Sequence, residues 1–308
     1  MVHSASTTLA LPHPVAFVLS GGTSLGAIQV GMLRALHERG IAPDVLVGSS
    51  VGSLNAAYIA GGYRRERIDA LTTLWSGLRA LDVFRSGGIS RYLSALRGRS
   101  SLATADRLRA LIERHLPVRQ AQLAIPTAVI ATDLLSGDAV ILDQGDLVKN
   151  LLASTAIPGV FPAVEIGGRI LADGAIAAHV PILEAAELGA ASIVVLDTGY
   201  PCALSELPHG VVPSVIHLLN LMLRHQSVAS LSLLGARLPV LYLPSPCPLG
   251  VAPYDFTHSA RLVESGHASA GRYLAGVRLA GPGIYGHPHF QHKGACAEPE
   301  MSERAVSG

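Results

Sequence analysis

The chain has 308 residues, of which 49% are hydrophobic and only 15% are charged, and its formal net charge is +1. This length suffices for one large α/β domain or two ordinary ones, and the near-neutral charge argues against a nucleic-acid partner. No apolar run approaches the ~18 uninterrupted residues that a membrane-spanning helix needs, so we predict no transmembrane segment. A chain with so little charge can expose apolar surface, as a lipid-facing enzyme would.

The N-terminus and the cysteines bear on localisation. Residues 1–11 lack the basic region that opens a secretory signal. The three cysteines, Cys202, Cys247 and Cys296, are too few and too widely spaced for a disulfide framework or a zinc site. We therefore expect a cytoplasmic protein, with peripheral contact to a membrane as an additional expectation.

The first predicted elements are a strand, a glycine loop and a helix. After a predicted flexible tail over residues 1–12, the apolar run 15–19 is short enough for a buried strand and leads into the loop 20–26. A glycine loop before a helix presents backbone N–H groups, so it can bind a phosphate or stabilise an oxyanion. The loop does not match the dinucleotide fingerprint, because Thr23 stands at its third position, and it lacks the ending of a P-loop.

The second strand-to-helix unit carries a serine at its turn. A predicted strand over residues 45–47 and a predicted helix up to Gly61 flank the pattern Gly48-x-Ser50-x-Gly52. Glycines at these two positions remove Cβ atoms that would collide in a sharp reversal, which leaves the serine strained and exposed. Such a serine is placed to attack a carbonyl carbon. The pattern alone is equally compatible with a plain glycine-rich turn.

Strands and helices alternate along the rest of the chain. Further helices are predicted at 27–36, 64–81, 104–115, 147–156, 181–187, 213–234 and 257–277, and further strands at 127–132, 139–142, 164–172 (a hairpin), 192–196 and 240–243. This alternation predicts a three-layer α/β/α sandwich with a mostly parallel central sheet. We predict a single domain over residues 13–280, followed by a flexible tail over 281–308.

Arginine is concentrated in one part of the chain, residues 64–120, which we predict to be a helical, cap-like segment. Between Arg64 and Arg119 there are 12 arginines against five acidic residues. Each basic residue near an anionic membrane is worth ~1 kcal/mol, so we expect salt-sensitive binding to anionic vesicles through residues 64–119. The alternative is that these arginines only solvate amphipathic helices.

A third motif supplies a base for the serine. Asp173 stands in an Asp-Gly-Ala turn after the predicted hairpin, where backbone N–H groups could hold its carboxylate. On its own, Asp-Gly is a very common turn pattern. A serine hydroxyl is nevertheless a poor nucleophile unless a neighbour removes its proton. The first two units also place N–H donors and Ser50 at the carboxyl ends of adjacent strands, where open α/β sheets bind ligands.

Taken in this order, the glycine loop 21–26, the elbow 48–52 and the turn 173–175 resemble the patatin-like phospholipase family. Segments 131–134 and 153–162 are also similar to that family. The similarity runs from about residue 17 to residue 198, with a fainter trace at 255–259. The resemblance implies a patatin-like fold and a lipid acyl hydrolase. We expect no cofactor and no metal.

The same resemblance implies roles for individual residues. Ser50 would attack the ester carbonyl to form an acyl-enzyme, and Asp173 would take its proton without a histidine. The oxyanion would lie against the N–H groups of the loop residues Gly21, Gly22 and Thr23. Four glycines would support the motifs: Gly26, Gly48, Gly52 and Gly174.

One position departs from the family pattern and leaves the substrate open. The family loop usually reads Gly-Gly-Gly-x-Arg/Lys-Gly, whereas this chain has Thr23 at the third glycine and Leu25 at the basic position. Thr23 keeps its N–H, so an oxyanion hole can form. Leu25 cannot pair with an anion, so both phospholipids and simpler esters stay open as substrates.

Two other readings remain. A Ser-His-Asp esterase of the α/β-hydrolase type has the chain order serine, acid, histidine, and the histidines that follow Asp173 include His179, His209, His217, His225, His258 and His267. His179 is the nearest in sequence. A regulatory or lipid-binding module is favoured by Leu25 and opposed by the intact Ser50 and Asp173. The sequence does not give the acyl chain, the head group or the oligomeric state.

Overall fold

A computed structural model describes residues 10–84, 105–199, 209–246, 251–252 and 254–286, and within these ranges it contains nine strands and ten α-helices. The strands are β1 (Val15–Leu19), β2 (Val45–Ser49), β3 (Thr127–Asp133), β4 (Ala139–Leu142), β5 (Val164–Ile166), β6 (Arg169–Asp173), β7 (Ser192–Leu196), β8 (Pro239–Leu243) and β9 (Gly283–Tyr285). The helices are α1 (Gly26–His37), α2 (Val51–Ala60), α3 (Arg65–Gly77), α4 (Ala80–Val83), α5 (Asp106–His115), α6 (Leu147–Ser154), α7 (Ala175–Ala178), α8 (Ile182–Glu187), α9 (Val211–Leu234) and α10 (Ser259–Gly276).

All nine strands belong to one sheet, in the order β5-β6-β3-β2-β1-β7-β8-β9, with β4 also paired to β3. The pairs β1–β2, β1–β7, β2–β3, β7–β8 and β8–β9 are parallel. The pairs β3–β4, β3–β6 and β5–β6 are antiparallel. The sheet is therefore mostly parallel, as the sequence predicts, with an antiparallel extension that carries β6 next to β3.

The central strands are buried on both faces by helices. Every residue of β1, β7 and β8 is buried, which is typical of parallel strands covered on both sides. Alternate β1 residues enter different clusters: Phe17 and Leu19 pack with α1, α2, α3 and α10, whereas Ala16 and Val18 pack with α8 and α9. This period of two confirms the predicted three-layer α/β/α sandwich.

The edges of the structured region differ from the prediction. Residues 283–285 form β9 in parallel with β8, although we predicted a flexible tail from residue 281. Leu11 is also buried in the core, within the predicted N-terminal tail. Ile284 and Tyr285 favour strands, but two such residues in a Gly- and Pro-rich stretch are too short a run to predict one, so pairing to the neighbouring strand decides their conformation.

One predicted helix is two helices in the structure. The predicted helix 64–81 is divided into α3 and α4 by Leu78, whose ψ of 138° is extended. The central part of the arginine-rich segment, residues 85–104, lies outside the described residues, as do residues 1–9, residues 287–308 and the three cysteines. Across the described ranges, no helix combines the length and hydropathy needed to span a bilayer.

Candidate active site

Ser50 lies at the turn between β2 and α2 with φ 52° and ψ −125°. A non-glycine residue with positive φ costs about 1–3 kcal/mol and persists only where surrounding contacts hold it. Here the N–H of Ser50 donates to Oγ of Ser154 at 2.9 Å, and its carbonyl accepts from both N–H and Oγ of Ser53. The strained turn that the sequence predicts is therefore present, and helix α6 helps to fix it through Ser154.

The two glycines of the elbow allow the backbone to approach its neighbours closely. A Cβ placed at Gly52 would lie 2.2 Å from the carbonyl oxygen of Leu19, and one at Gly48 would lie 2.5 Å from Cα of Ser53. Similar approaches occur at the other two motif glycines, where a Cβ would meet Cγ2 of Val51 at 2.7 Å (Gly26) and the oxygen of Ile130 at 2.1 Å (Gly174). No side chain fits at these positions without a shift of its neighbours.

Asp173 ends β6, which pairs with the same edge of β3 as β2 does, so the ends of β6 and β2 meet at Ser50. Its Oδ2 accepts a hydrogen bond from Oγ of Ser50 at 2.7 Å, and its Oδ1 accepts from the N–H of Ala175 at 2.9 Å. Oγ1 of Thr132 donates to the carbonyl of Asp173 at 2.8 Å. Burial raises the pKa of Asp173 to about 6, and the hydrogen bonds from Ser50 and Ala175 only partly oppose that rise. A carboxylate with this pKa can accept a proton near neutral pH.

The glycine loop divides its three N–H groups between two tasks. The N–H of Gly21 donates to the carbonyl of His179 at 3.0 Å, so Gly21 anchors the loop and does not face the cleft as the oxyanion donor that we predicted. Gly22 and Thr23 have positive φ values of 148° and 52°. Among the described residues, neither of their N–H groups donates to a protein acceptor. Thr23 lines the same cleft as Ser50.

Buried polar side chains donate hydrogen bonds to backbone carbonyls of the glycine loop and of the adjacent strand end. Oγ1 of Thr198 donates to the carbonyl of Gly21 at 2.6 Å. Nε2 of Gln29 donates to the carbonyls of Ser20 and Leu196 at 2.9 and 3.0 Å, which ties the ends of β1 and β7 together. We did not identify Thr198 or Gln29 from the sequence, because their partners are distant in the chain and no local motif marks them.

An apolar cleft opens at Ser50. Its walls come mainly from α2, α3, α5 and the segment after α6, and they carry Val51, Leu54, Leu71, Leu74, Trp75, Leu78, Val83, Phe84, Leu108, Leu111, Ile112, Leu116, Ile157, Phe161 and Phe256 among others. Such a lining favours a long hydrocarbon group over a polar one. Helices α3, α4 and α5 of the predicted cap-like segment therefore build a wall of the cleft.

The aromatic part of this wall is connected to the glycine loop. The Trp75 ring stacks on Phe256 with centroids 6.2 Å apart, and its Nε1 donates to Oδ1 of Asn55 at 2.9 Å. Nδ2 of Asn55 donates in turn to Oε1 of Gln29 at 2.9 Å. A continuous buried chain of hydrogen bonds thus runs from the cleft wall to the strand ends beside the loop.

His179, the histidine nearest in sequence to Asp173, lies beneath the glycine loop. It is buried, its N–H donates to Oε1 of Gln226 at 2.9 Å, and a Cβ at Gly21 would lie 3.1 Å from its Nδ1. Burial lowers the pKa of His179, and the charge of Asp197 partly opposes this effect. The Ser50 hydroxyl donates directly to Asp173, so no histidine stands between these two groups.

Leu25 is buried in the core, with 3% of its surface exposed. The place where the family pattern has a basic residue is therefore part of the apolar interior of this chain. Within the described ranges, no three His, Cys, Asp or Glu side chains come together as a metal-binding group.

Fold and site together define an α/β protein in which a strained serine on a strand-to-helix turn is hydrogen bonded to a buried aspartate. The family model described as "Patatin-like phospholipase" matches residues 17–186, more than half of the chain. The chain belongs to the patatin-like phospholipase family.

Individual relatives and structures match over different lengths. An "Uncharacterized NTE family protein" of Mycobacterium tuberculosis is 33% identical over 57% of this chain and 46% of its own length. "Patatin-like phospholipase domain-containing protein 7" of Rattus norvegicus is 28% identical over 61% of this chain and 14% of its own. The chain therefore spans less than half the length of these relatives. Among solved structures, VipD from Legionella pneumophila gives a TM-score of 0.45 at 17% identity, over 86% of this chain and 67% of that one.

Proposed function

We propose that this protein is a lipid acyl hydrolase that cleaves carboxylic esters with a Ser50–Asp173 dyad. The observation that carries the proposal is the direct 2.7 Å hydrogen bond from Oγ of Ser50 to Oδ2 of Asp173 at the end of an apolar cleft. Membership of the patatin-like phospholipase family supports the lipid substrate class. The cleft would take the acyl chain and place its ester carbonyl against Ser50.

In the first half-reaction, Oγ of Ser50 attacks the carbonyl carbon while its proton passes to Oδ2 of Asp173. The oxyanion forms against the N–H groups of Gly22 and Thr23, and one such donor is typically worth about 3 kcal/mol in the transition state. The tetrahedral intermediate then collapses, and the departing alcohol takes the proton back from Asp173. An acyl group remains esterified to Ser50.

In the second half-reaction water is the nucleophile and Ser50 is the leaving group, while Asp173 again acts first as base and then as acid. Asp173 takes a proton from water as the water oxygen attacks the acyl carbon. The bond to Oγ of Ser50 breaks, Ser50 recovers the proton from Asp173, and the carboxylic acid leaves.

Two alternatives to the dyad are a Ser-His-Asp triad and a lipid-binding module without activity. A Ser-His-Asp triad would require a histidine between the serine and the acid, and the direct contact of Ser50 with Asp173 favours the dyad over that arrangement. A lipid-binding module without activity is favoured only by the buried Leu25. Ester hydrolysis by purified protein would separate the module from either enzyme.

We expect Ser50→Ala to abolish hydrolysis of p-nitrophenyl acyl esters and covalent labelling by a fluorophosphonate, because Oγ of Ser50 is the proposed nucleophile. The loss in kcat/KM should be at least about 10³-fold. Ser49→Ala is the matched control, since Oγ of this adjacent buried serine has no hydrogen-bond partner in the described structure. Hydrolysis by Ser50→Ala at the wild-type rate would refute the proposal, and an inactive wild type would favour the module.

We expect kcat/KM to fall as the pH drops through about 6, because Asp173 accepts protons only when ionised and burial raises its pKa to about 6. Activity should be on its plateau above that pH and should fall about tenfold for each further pH unit below it. A histidine base would give a similar fall in kcat/KM at low pH, so the pH profile is also measured for His179→Gln. If this fall disappears in His179→Gln, or if the wild-type profile is flat, Asp173 is not the group that titrates.

Salt-sensitive binding to anionic vesicles through residues 64–119 stays a prediction. Several arginines of this segment have partners within the protein: Arg65 pairs with Asp69, Arg109 pairs with Glu113, and Arg67 lies over the ring of Tyr58. These contacts agree with the alternative that some of these arginines solvate the helices and stabilise them through contacts within the protein.

A further inference from the structure

Helix α9 exposes an apolar face over its N-terminal half. Six large apolar side chains within its first twelve residues are between 36% and 80% exposed: Val211, Val215, Leu218, Leu219, Leu221 and Met222. We call these six residues the α9 face. Scattered exposed leucines are ordinary on protein surfaces, whereas a contiguous group of this kind marks a binding surface.

The α9 face lies beside the segment that carries the catalytic aspartate. Helix α7 begins two residues after Asp173, and Nε2 of Gln226 on α9 donates to the α7 carbonyls of Ile176 and Ala177. The side chain of Ile176 is itself 45% exposed. One turn before Gln226 on the same side of α9 is Met222, so the apolar stripe continues past α7.

The direction of α9 places this face at the active-site end of the sheet. The C-terminal half of α9 packs into the core through Leu231 and Leu234, and the chain then enters β8 at Pro239. Since α9 runs antiparallel to β8, its N-terminal half lies toward the carboxyl ends of the parallel strands. Ser50 follows the same end of β2.

The width and charge of the α9 face suit a lipid surface. At 100° per residue, the six side chains cover an arc of about 160°, which is broader than the narrow seam of a two-helix contact. Helix α9 contains no Asp or Glu, and its ionisable residues are His217, Arg224 and His225. A broad apolar arc on a helix without acidic side chains suits the interface of a bilayer, including one that contains anionic lipid.

We propose that the α9 face docks this protein onto a phospholipid bilayer, with its side chains in the boundary between head groups and acyl chains. The proposal rests on the proposed function, because docking would bring the site next to its lipid substrate. It concerns a different surface from residues 64–119, since α3 and α5 cover the opposite layer of the sandwich from α9. Binding through the α9 face should resist salt more than binding through arginines.

The test is co-sedimentation of the full chain with vesicles of phosphatidylcholine, alone or mixed with phosphatidylglycerol. The double variant Leu219→Ser/Met222→Ser should partition at least about tenfold more weakly into both kinds of vesicle, because it removes apolar surface from the centre of the face. Leu233→Ser is the matched control. Leu233 is 69% exposed on the same side of α9, but at the opposite end of the helix, and its variant should bind like the wild type.

Two further measurements separate docking from misfolding and from catalysis. Leu219→Phe/Met222→Phe keeps the face apolar and should keep binding, and each variant of α9 should hydrolyse a soluble short-chain ester at the wild-type rate. The Ser50→Ala protein should still bind vesicles, so loss of the proposed chemistry would not be mistaken for loss of docking. Wild-type binding by the double serine variant would overturn the proposal. If that variant also turned a wild-type dimer into a monomer, the face would belong to a second copy of the chain.

Discussion

Asp173→Asn is expected to abolish ester hydrolysis while leaving the protein at least as stable as the wild type. The amide cannot take the proton of Ser50, and loss of a general base typically costs 10²–10⁴-fold, so we expect kcat/KM to fall by about 10²–10⁴-fold. Retained activity would show that another group takes the proton.

The stability expected of Asp173→Asn follows from the raised pKa of Asp173 in the folded state. Burial raises the pKa of Asp173 from 3.8 to about 6, so the folded state disfavours its ionised form. The penalty is absent below pH 3.8, grows between the two values and is complete above about pH 6, where it is on the order of 3 kcal/mol. The asparagine variant avoids it, so its melting temperature should exceed that of the wild type at pH 8 and match it near pH 4.

Asp143→Asn is the control for both activity and stability. Asp143 is exposed and follows Leu142, which pairs with Val129 near the start of β3, away from the end of β3 that pairs with Asp173. It should change neither activity nor the difference in melting temperature between the two pH values. A melting temperature of Asp173→Asn well below that of the wild type at pH 8 would show that the hydrogen bonds of the carboxylate outweigh the cost of its burial.

Gly52→Ala is expected to prevent normal folding. Its Cβ would lie 2.2 Å from the carbonyl oxygen of Leu19 and 2.5 Å from that of Ser20. Both oxygens belong to backbone at the end of the central strand β1, which cannot move without disturbing its pairing to β2 and β7. Overpacking of this kind typically costs 1–3 kcal/mol where side chains can yield, and we expect a larger loss here, seen as a lower denaturation midpoint or as insoluble protein.

Gly271→Ala gives the matched comparison, because nothing lies within 4 Å of a Cβ at this position in α10. Replacing a helical glycine in open space should stabilise the protein by about 0.5–1 kcal/mol. Equal stability of Gly52→Ala and the wild type would mean that the elbow can relax, and it would weaken the geometric reason for glycine in the motif.

The central part of the fold was accessible from sequence because its signals are local. Short apolar runs, glycine turns and helical periodicity predicted strands β1, β2, β3 and β7 and their helices. The elbow was predicted with its physical cause, since the collisions at Gly48 and Gly52 follow from the turn itself. The partnership of Ser50 with Asp173, 123 residues apart, came from resemblance to a family and not from spacing.

What sequence reasoning missed depends on contacts between distant segments. The use of the Gly21 N–H by the carbonyl of His179 follows from how β6, α7 and β1 meet, and no motif encodes it. The roles of Gln29 and Thr198 have the same origin. Strand β9 was missed because Gly283–Tyr285 is a strand only through its pairing with β8. Local patterns therefore predicted the elements, and tertiary packing decided which backbone groups face the cleft.

The position of Trp75 gives the protein a built-in optical probe. It is the only tryptophan in the chain, and it lies in the cleft wall, stacked on Phe256 and hydrogen bonded to Asn55. Any molecule that enters the cleft changes the polarity around this single indole, so its fluorescence reports occupancy without a label. A titration of the Ser50→Ala protein with fatty acids of increasing length would read the depth of the cleft from the emission of one residue.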